Sequence, residues 1–528
     1  MSQAAPSAPA AMQDKASARV WIAVMGTMLG AFMAVLNIQI TNSSLANIEG
    51  GIGTGADNGA WISTAYLIGE IIVIPLTDYL SRVFSFRLFL MTNAALFLAF
   101  SVACAFAQNL SQMIVLRGFQ GFCGGVMIPM AFTYTLTKLP KTQQPVGMAM
   151  FALTATFAPA IGPTIGGYLT ENYGWEYIFF INLVPGAFML TALALTLDRE
   201  PMNLALLKEG DWFGIGTMAI GLAALQTVLE EGNKNDWFGS PFITRTALIA
   251  VVFLALFLII EFNVKKPAVN LRVLADRNFA LGTVANVMVG FALYGSVFIL
   301  PQYLGQVQGY NSEQIGSVMA WVGLPQLILI PLVPMLLKRV DARYVVFGGL
   351  TIFAISCFMN THMSVNYGGD QLFWPNIVRA IGQAVILAPL SGIAMRNIAR
   401  ADSAAASGIF NMLRNLGGAV GTAALATIVT KREQFHSNVI GQSVTEFGGV
   451  VRDRIAVMQN YFMQHGIPDM ETAHHQAIIY LGNLVKRQAL VMSYSDTFAI
   501  IGVMLLIAAA AVLLTGKGGA GGASAAAH

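Results

Sequence analysis

Fourteen apolar stretches of about 20 residues dominate the chain, and they constrain its fold more than any other feature. A stretch of that length spans the hydrocarbon core of a membrane as a helix, because each backbone polar group is then satisfied within the segment. Apolar residues make up 56% of the chain and charged residues 10%. We therefore predict an all-α polytopic membrane protein. The predicted spans are 20–41, 58–80, 87–107, 110–134, 145–168, 177–197, 212–230, 242–263, 279–302, 315–337, 343–362, 372–395, 404–429 and 495–515.

The Lys and Arg residues concentrate in alternate loops, which orients the predicted spans. With the N-terminus in the cytoplasm, eighteen of the 29 Lys and Arg residues lie in cytoplasmic segments, whereas the short outer loops hold only Lys234 and Arg245. Six more lie in the outer loop 430–494, whose length exempts it from the positive-inside rule. We predict a multi-pass protein of the cell inner (cytoplasmic) membrane with both termini cytoplasmic.

Two similar elements occur in the two halves of the chain. The fourth span carries Arg117, followed by Gln120 and Gly121, and the twelfth carries Arg379, followed by Gly382 and Gln383. The Arg-bearing helix is the fourth of six in both halves only if the seventh and eighth spans are an insertion. That is the 6+6 plan of secondary transporters, which place the substrate between the halves. A chance match is the alternative, because the motif is short.

This repeat divides the chain into five parts. The first residues are rich in Ala, Pro and Ser, a composition typical of disorder. The predicted parts are a disordered cytoplasmic N-terminus 1–19, an N-terminal six-helix bundle 20–197, a linker 198–278 with two extra transmembrane helices, a C-terminal six-helix bundle 279–515 that includes the outer loop 430–494, and a cytoplasmic tail 516–528.

Several motifs together resemble one transporter family. They are Arg117–Gly121 in the fourth span, Gly162–Gly167 in the fifth, Leu300–Tyr303, and Ser407–Asn411 with Arg414. With them the chain resembles the fourteen-helix drug:proton antiporters of the QacA/EmrB type within the major facilitator superfamily. The resemblance implies a major facilitator fold with 6+6 core helices plus two inserted helices. It also implies proton-coupled multidrug efflux of small amphipathic or hydrophobic compounds by alternating access. A dedicated cargo such as a siderophore, fatty acid or lipid is the alternative.

Four ionisable side chains fall well inside predicted spans: Glu70, Arg117, Arg379 and Arg414. A charge at mid-membrane costs at least about 2.5 to 3.5 kcal/mol, which makes such residues functional candidates. Glu70 is the only carboxylate among them, so we predict that it carries the proton; a permanently paired structural charge is the alternative. Arg117 resembles the fourth-helix arginine that the family associates with proton transfer, whereas the usual first-helix carboxylate is replaced by Asn37. Arg117 as a purely structural pin is the alternative.

Other residues are candidates for the cavity wall or for conformational change. Small residues let helices approach closely and a proline permits a kink, so a conformational role is predicted for Gly162, Pro163, Gly166 and Gly167. Helix packing is the alternative for each cavity candidate. The substrate-cavity candidates are Asn37, Gln39, Gln120, Asn286, Tyr294, Arg379, Asn411 and Arg414.

Other functional classes lack the residues that they need. Gly516 and Lys517 are not followed by the Ser or Thr of a Walker loop, which disfavours an ATP-driven pump. The three cysteines lie in apolar runs without metal-ligand spacing, and no pair of histidines lies within a span, which disfavours a membrane-embedded enzyme. We therefore expect no enzymatic activity, cofactor, metal or nucleic-acid partner. The expected partners are a small-molecule substrate, protons and the lipid bilayer.

The outer loop 430–494 is too long for a simple connector. Its segments 451–465 and 471–490 mix apolar and charged residues at helical spacing, which predicts amphipathic helices able to dock a partner. Members of the resembled family with such a loop work with a periplasmic adaptor and an outer-membrane channel. The resemblance therefore implies these two partners for this chain.

Overall fold

Long helices make up most of the computed structural model, which describes residues 15–264, 267, 269–399, 402–445 and 448–515. Residues 1–14 and the predicted tail 516–528 lie outside the described residues. Each long helix of the described part overlaps one predicted span. The helices are α1 (Ala18–Ser43), α2 (Trp61–Phe84), α3 (Phe86–Ala105), α4 (Leu110–Lys138), α5 (Gln144–Tyr173), α6 (Tyr177–Thr196), α7 (Trp212–Glu231), α8 (Pro241–Asn263), α9 (Arg277–Gln306), α10 (Ser312–Leu337), α11 (Ala342–His362), α12 (Gly369–Ala394), α13 (Ser403–Ser443) and α14 (Met470–Leu513).

Thirteen helices of the described part are long and apolar enough to cross a membrane, and α2 is the long helix outside that set. The α2 sequence includes Glu70, Asp78 and Arg82 and several hydroxyl side chains, which lower its hydropathy. Glu70 and Asp78 are sheltered by protein, because α2 packs against α4, α7 and α13, whereas Arg82 is exposed near the end of the helix. An all-α polytopic fold follows, and the helices of the described part are consistent with fourteen spans.

The helices of the first six and the last six pack in the same pairs. The helix α1 packs on α5 and α2 on α4; likewise α9 packs on α13 and α10 on α12. The two sets meet where α5 contacts α10 and where α2 contacts α13. The inserted helices α7 and α8 pack on each other, and α7 also contacts α2 and α13. This pairing supports the proposed division into two six-helix halves and an inserted pair.

Local sequence signals set several helix ends. The Asp276 side chain accepts a hydrogen bond of 2.9 Å from the Phe279 amide and so caps α9. Asn311 and Gln314 form a reciprocal capping box at the start of α10. Gly174 ends α5 with a φ of +105°, a conformation that side chains with a Cβ rarely adopt. The capping side chains satisfy backbone amides that have no partner within the helix.

The predicted outer loop 430–494 is mostly helix and continues the last two spans. With 41 and 44 residues, α13 and α14 are each about 60 Å long at about 1.5 Å per residue, twice the roughly 30 Å hydrocarbon core. A shorter helix, Gly449–Gln464, packs on α14, where Ile455 and Ala473 are buried. Charged residues mark the point where a span leaves the lipid. The helix can continue beyond them, because its backbone hydrogen bonds also form in water. We call this projection, residues 430–490, the helical hairpin.

Polar contacts join the base of the helical hairpin to the membrane domain. The Arg432 Nε donates to the Asp496 carboxylate at 2.6 Å, and His436 contacts the same oxygen at 2.8 Å. Tyr494 donates to the Gln306 side chain of α9 at 2.8 Å. These contacts fix α13 and α14 relative to each other and to α9.

Candidate functional site

A cavity of about 970 Å³ lies between the two halves. Its walls come from α1, α2, α5 and α7 on one side and from α9, α13 and α14 on the other. It reaches toward the hairpin side of the membrane domain, where Thr430 and Lys486 line it. Most of the exposed surface is apolar, as in sites for small organic molecules, although roughly half of the lining residues have polar side chains. The volume suits a compound of drug size.

The opposite end of the cavity is closed by contacts between α13 and the first half. The Ser407 hydroxyl donates to the backbone carbonyl of Pro129 at 3.2 Å, at the proline within α4. A methyl group added at Gly408 would lie 3.2 Å from the carbonyl oxygen of Ile74 in α2. The described conformation is therefore closed on the side opposite the helical hairpin.

Glu70 lies at the wall of the cavity and touches both halves. Its side chain is 2% exposed, and its Oε1 accepts a hydrogen bond of 2.6 Å from Nδ2 of Asn415 in α13. The Tyr294 hydroxyl of α9 lies 3.5 Å from Oδ1 of the same Asn415. Oε2 of Glu70 is buried and has no hydrogen-bond partner in the described part of the chain. One carboxylate thus joins α2 to the second half and keeps one oxygen unpaired.

Arg414 is the cation that acts most strongly on Glu70. It precedes Asn415 in α13, and its guanidinium carbon lies 5.9 Å from the centre of the Phe151 ring. Its two terminal nitrogens are buried and have no hydrogen-bond partner among the described residues. The attraction between Arg414 and Glu70 therefore crosses the interface between the halves.

Arg117 is fully buried in a cage formed by α1, α2 and α4. Its guanidinium donates to the side chains of Asn37 and, at 2.7 Å, of Gln120. It also lies 4.2 Å above the centre of the Tyr66 ring, one helical turn before Glu70. Asn37 thus accepts a hydrogen bond from Arg117 where the resembled family has a carboxylate. The positive charge of Arg117 has no ion-pair partner in the described part of the chain, which leaves a weaker attraction to Glu70.

The predicted cavity candidates separate into two groups. Gln39 and Tyr294 line the cavity together with Glu70. Asn286 donates to the Phe410 carbonyl at 2.8 Å, and Asn411 donates to a carbonyl of its own helix. In this conformation neither of these two residues lines the cavity. The same holds for Asn37 and Gln120, which bind Arg117. Arg414 also lies outside the lining, although it acts on Glu70.

Arg379 occupies the place in the second half that Arg117 occupies in the first. It is buried, 5.7 Å from the centre of the Phe353 ring, and its Nε and one terminal nitrogen lack partners in the described part. The thiol of Cys357 lies near its charge, as the thiol of Cys104 lies near that of Arg117. Arg379 does not line the cavity. The two halves therefore repeat an arginine beside a cysteine of the preceding helix.

The glycines of the fifth-helix motif lie at close helix crossings. A methyl group at Gly162 would overlap Gln39, and one at Gly166 would lie 3.2 Å from Cα of Ile40, both in α1. Gly167 faces α10 of the other half, where a methyl group would overlap the Ser312 backbone. Pro163 lines the cavity. This one motif thus packs α5 against its own half and against the partner half.

Sequence reasoning missed most of the polar residues that line the cavity, among them Asn415 and Glu230. Asn415 follows Arg414, and a polar pair inside an apolar span could have marked it. Glu230 lies at the end of α7, one of the two helices predicted as an insertion, and it lines the cavity. Neither position could be related to Glu70 without the packing of distant helices.

Comparison with known proteins identifies the family of the chain. Residues 27–422 match the sequence profile of the Major Facilitator Superfamily. The chain belongs to the major facilitator superfamily. The predicted family and fold are thereby confirmed. As a superfamily member the protein is a multi-pass membrane transporter of small molecules, not an enzyme.

Relatives within the superfamily match almost the whole chain. The Colistin resistance protein EmrB of Acinetobacter baumannii is 34% identical over 92% of this chain and 94% of its own length. The Fatty acid resistance protein FarB of Neisseria gonorrhoeae is 29% identical over 93% and 95%. The Multidrug export protein EmrB of Escherichia coli K12 is 29% identical over 91% and 92%. The predicted EmrB-type family is therefore confirmed.

A solved structure of the superfamily has the same fold. The proton:xylose symporter XylE, bound to 6-bromo-6-deoxy-D-glucose, superposes with a TM-score of 0.57 over 94% of this chain and 96% of that chain. The two sequences are 14% identical, so this likeness concerns the fold alone.

Proposed function

We propose that this protein exports small amphipathic or hydrophobic compounds across the inner membrane in exchange for protons, by alternating access. The observation that carries the proposal is the position of Glu70, a buried carboxylate that lines the cavity and binds the opposite half. Buried carboxylates in membrane transporters mark proton and ion pathways. The uneven distribution of Lys and Arg supports cytoplasmic termini, and with that orientation the helical hairpin and the open end of the cavity lie outside.

The contacts of Glu70 suggest how a proton changes the conformation. While Glu70 is charged, Arg414 attracts it and Asn415 binds it, and both hold α2 against α13. A proton that arrives through the cavity can bind the unpaired Oε2 and cancel the attraction to Arg414. The two halves can then rock until the cytoplasmic side opens, where the proton leaves and the cargo enters. The cargo is released outside when the described conformation returns.

Arg117 has a proposed role that differs from that of Arg414. Its cage contains amide and carbonyl acceptors and no carboxylate among the described residues, so its charge is held at a constant distance from α2. A fixed cation favours the charged form of a nearby carboxylate. We propose that Arg117 helps Glu70 to release its proton, while the glycines of the fifth-helix motif permit the rocking.

The names of the relatives support export of several compounds. One is named a multidrug export protein, and the others are named for resistance to colistin and to fatty acids. A cavity whose exposed surface is mostly apolar discriminates weakly between amphipathic molecules, which favours multidrug export. The fatty-acid name supports the second candidate, a dedicated exporter of one cargo such as a fatty acid, a siderophore or a lipid.

We also propose that the helical hairpin binds a periplasmic adaptor that leads to an outer-membrane channel. Helices of about 60 Å carry the projection about 30 Å beyond the hydrocarbon core. Exposed apolar side chains on it, Val450 and Tyr461, are available for contacts. Co-purification of an adaptor that is lost when residues 448–465 are replaced by a Gly-Ser linker is the expected result. Full export in cells without any adaptor would contradict it.

The central test compares wild type with Glu70→Gln in proteoliposomes. Ethidium and decanoate serve as a cationic and an anionic test compound, and a pH-sensitive dye reports protons. We expect transport driven by a pH gradient to fall to the liposome background in the variant, because the neutral amide cannot ionise. Exchange of cargo for cargo without a gradient should persist, because it needs no proton.

Glu313→Gln is the matched control, since Glu313 is an exposed carboxylate at the start of α10 and does not line the cavity. It should transport like wild type. Gradient-driven transport by Glu70→Gln at the wild-type rate would refute proton coupling through Glu70. Loss of both gradient-driven transport and exchange in a folded variant would assign Glu70 a structural role.

A further inference from the structure

The inserted helix α7 forms part of the cavity wall. Its residues Gln226, Leu229 and Glu230 line the cavity, and the helix packs on α2 of one half and α13 of the other. In the connection that follows α7, the Trp237 indole donates to the Thr427 hydroxyl of α13 at 3.0 Å. The helix thus closes the lateral gap between α2 and α13. It is positioned to contact whatever the cavity holds.

Glu230 is the charged group that α7 presents to the cavity. Gln226, one turn earlier and 2% exposed, donates to its Oε1 at 3.0 Å and so orients the carboxylate. The neighbouring Glu231 turns away from the cavity and accepts a hydrogen bond of 3.1 Å from Thr64 of α2. Two adjacent carboxylates therefore have different surroundings, and only Glu230 faces the cavity.

Within the described part of the chain, Glu230 shares the cavity with Lys234 and Lys486 but forms an ion pair with neither. None of the ion pairs between described residues includes it. Lys234, the nearest lysine along the chain, acts instead on Glu49 and Glu231. Elsewhere in the same cavity, the buried Oε2 of Glu70 also lacks a partner. The cavity therefore offers an oriented carboxylate beside apolar surface.

We propose that Glu230 binds the positively charged group of amphipathic organic cations and so determines specificity for them. The inference rests on the proposed function, since it requires that the cavity hold the cargo. A carboxylate in a partly desolvated site attracts a cation far more strongly than in water. The apolar side chains Leu229, Ile71 and Phe298 line the same cavity and can contact the apolar body of the ligand. An organic anion of the same size meets repulsion at this wall.

Two ions of equal size and opposite charge test the proposal. Binding of tetraphenylphosphonium and of tetraphenylborate to the purified full-length protein is measured by equilibrium dialysis. In Glu230→Gln we expect the dissociation constant for the cation to rise at least about tenfold, because its counter-charge is gone. Binding of the anion should stay unchanged or tighten. Glu231→Gln removes a charge from the same helical turn but outside the cavity, and it should change either constant less than about twofold.

The outcomes separate this proposal from the proposed function. Unchanged cation binding in Glu230→Gln, or equal weakening of both ions, would overturn the specificity role while the wild type still binds and exports. Equal effects of Glu230→Gln and Glu231→Gln would overturn it as well, because a general field would then explain the result. A wild-type protein that binds neither ion and exports no test compound would overturn it together with the proposed function.

Discussion

Replacing Gly167 by Ala is expected to destabilise the described conformation without unfolding either half. Gly167 of α5 faces Ser312 of α10 across the interface between the halves, and an added Cβ would lie 2.7 Å from the Ser312 carbonyl carbon. Backbone atoms cannot rotate away as a side chain can, so the helices must separate. The nearby hydrogen bond of 2.6 Å from the Thr164 hydroxyl to the Gly316 carbonyl would lengthen with them.

The cost of such overpacking is about 1–3 kcal/mol. A cost of 1.4 kcal/mol changes a conformational equilibrium tenfold, so the population of molecules in which α5 and α10 are separated on the hairpin side should rise about five- to 150-fold. Spin labels on cysteines introduced at Asn172 and Ser317, two exposed positions on those helices, report this separation by pulsed electron paramagnetic resonance. The three native cysteines are buried and would be replaced to give a label-free background.

Gly392→Ala is the matched control, because nothing lies within 4 Å of a Cβ added there. It should leave the distance distribution unchanged. A folded Gly167→Ala protein with the wild-type distribution and the wild-type transport rate would refute the reasoning. It would mean either that the crossing tolerates a methyl group or that the contact between α5 and α10 does not change during transport.

Three further predictions concern stability. Arg117→Met should lower the unfolding midpoint in detergent, since each charge-assisted hydrogen bond lost from the cage contributes about 1.5–3 kcal/mol. The midpoint of Arg117→Lys should lie between those of Arg117→Met and wild type. An unchanged midpoint in Arg117→Met would contradict the stabilising role of the cage. Gly69→Ala should lower the free energy of unfolding by about 1–3 kcal/mol, because the methyl group would overlap the α4 backbone. Gly216→Ala adds a methyl group in open space and should leave the free energy of unfolding unchanged. Equal unfolding midpoints of the two variants would contradict the close packing at Gly69. Hydrogen bonds from Thr472 hold the pKa of Asp469 below its usual value, so this cap stabilises α14 above the unfolded-state pKa and is lost as the pH falls through the lower folded-state pKa. Hydrogen exchange of the first α14 amides should therefore rise in that acid range, and it should already be fast in Asp469→Ala. Exchange rates that change with pH only as the intrinsic rate does would contradict this prediction.

The contacts of Asn37 explain how this chain differs from the family pattern. An acidic residue there would form an ion pair with Arg117 and remove most of its influence on other groups. The amide accepts a hydrogen bond without neutralising the charge. In this chain the buried acid of the first half is Glu70. It does not pair with Arg117 but accepts a hydrogen bond from Asn415 of the second half.

Membrane spans could be predicted because their cause is local. A run of about 20 apolar residues satisfies its own backbone and prefers lipid wherever it occurs in the chain, so the spans overlapped the observed helices. The prediction was weakest at the last two spans, whose helices continue into the hairpin. Hydropathy reports where the lipid ends, and it does not report where the helix ends.

The sequence by itself thus determined the helical fold, the family and the unusual carboxylate at Glu70, because hydropathy, motif spacing and an isolated charge are all visible along the chain. The tertiary structure alone decided what that carboxylate contacts. Its hydrogen-bond donor Asn415 lies 345 positions away along the chain, and Glu230 reaches the same cavity from a helix inserted between the halves. Contacts between distant helices depend on how their surfaces pack, and no local pattern encodes that packing.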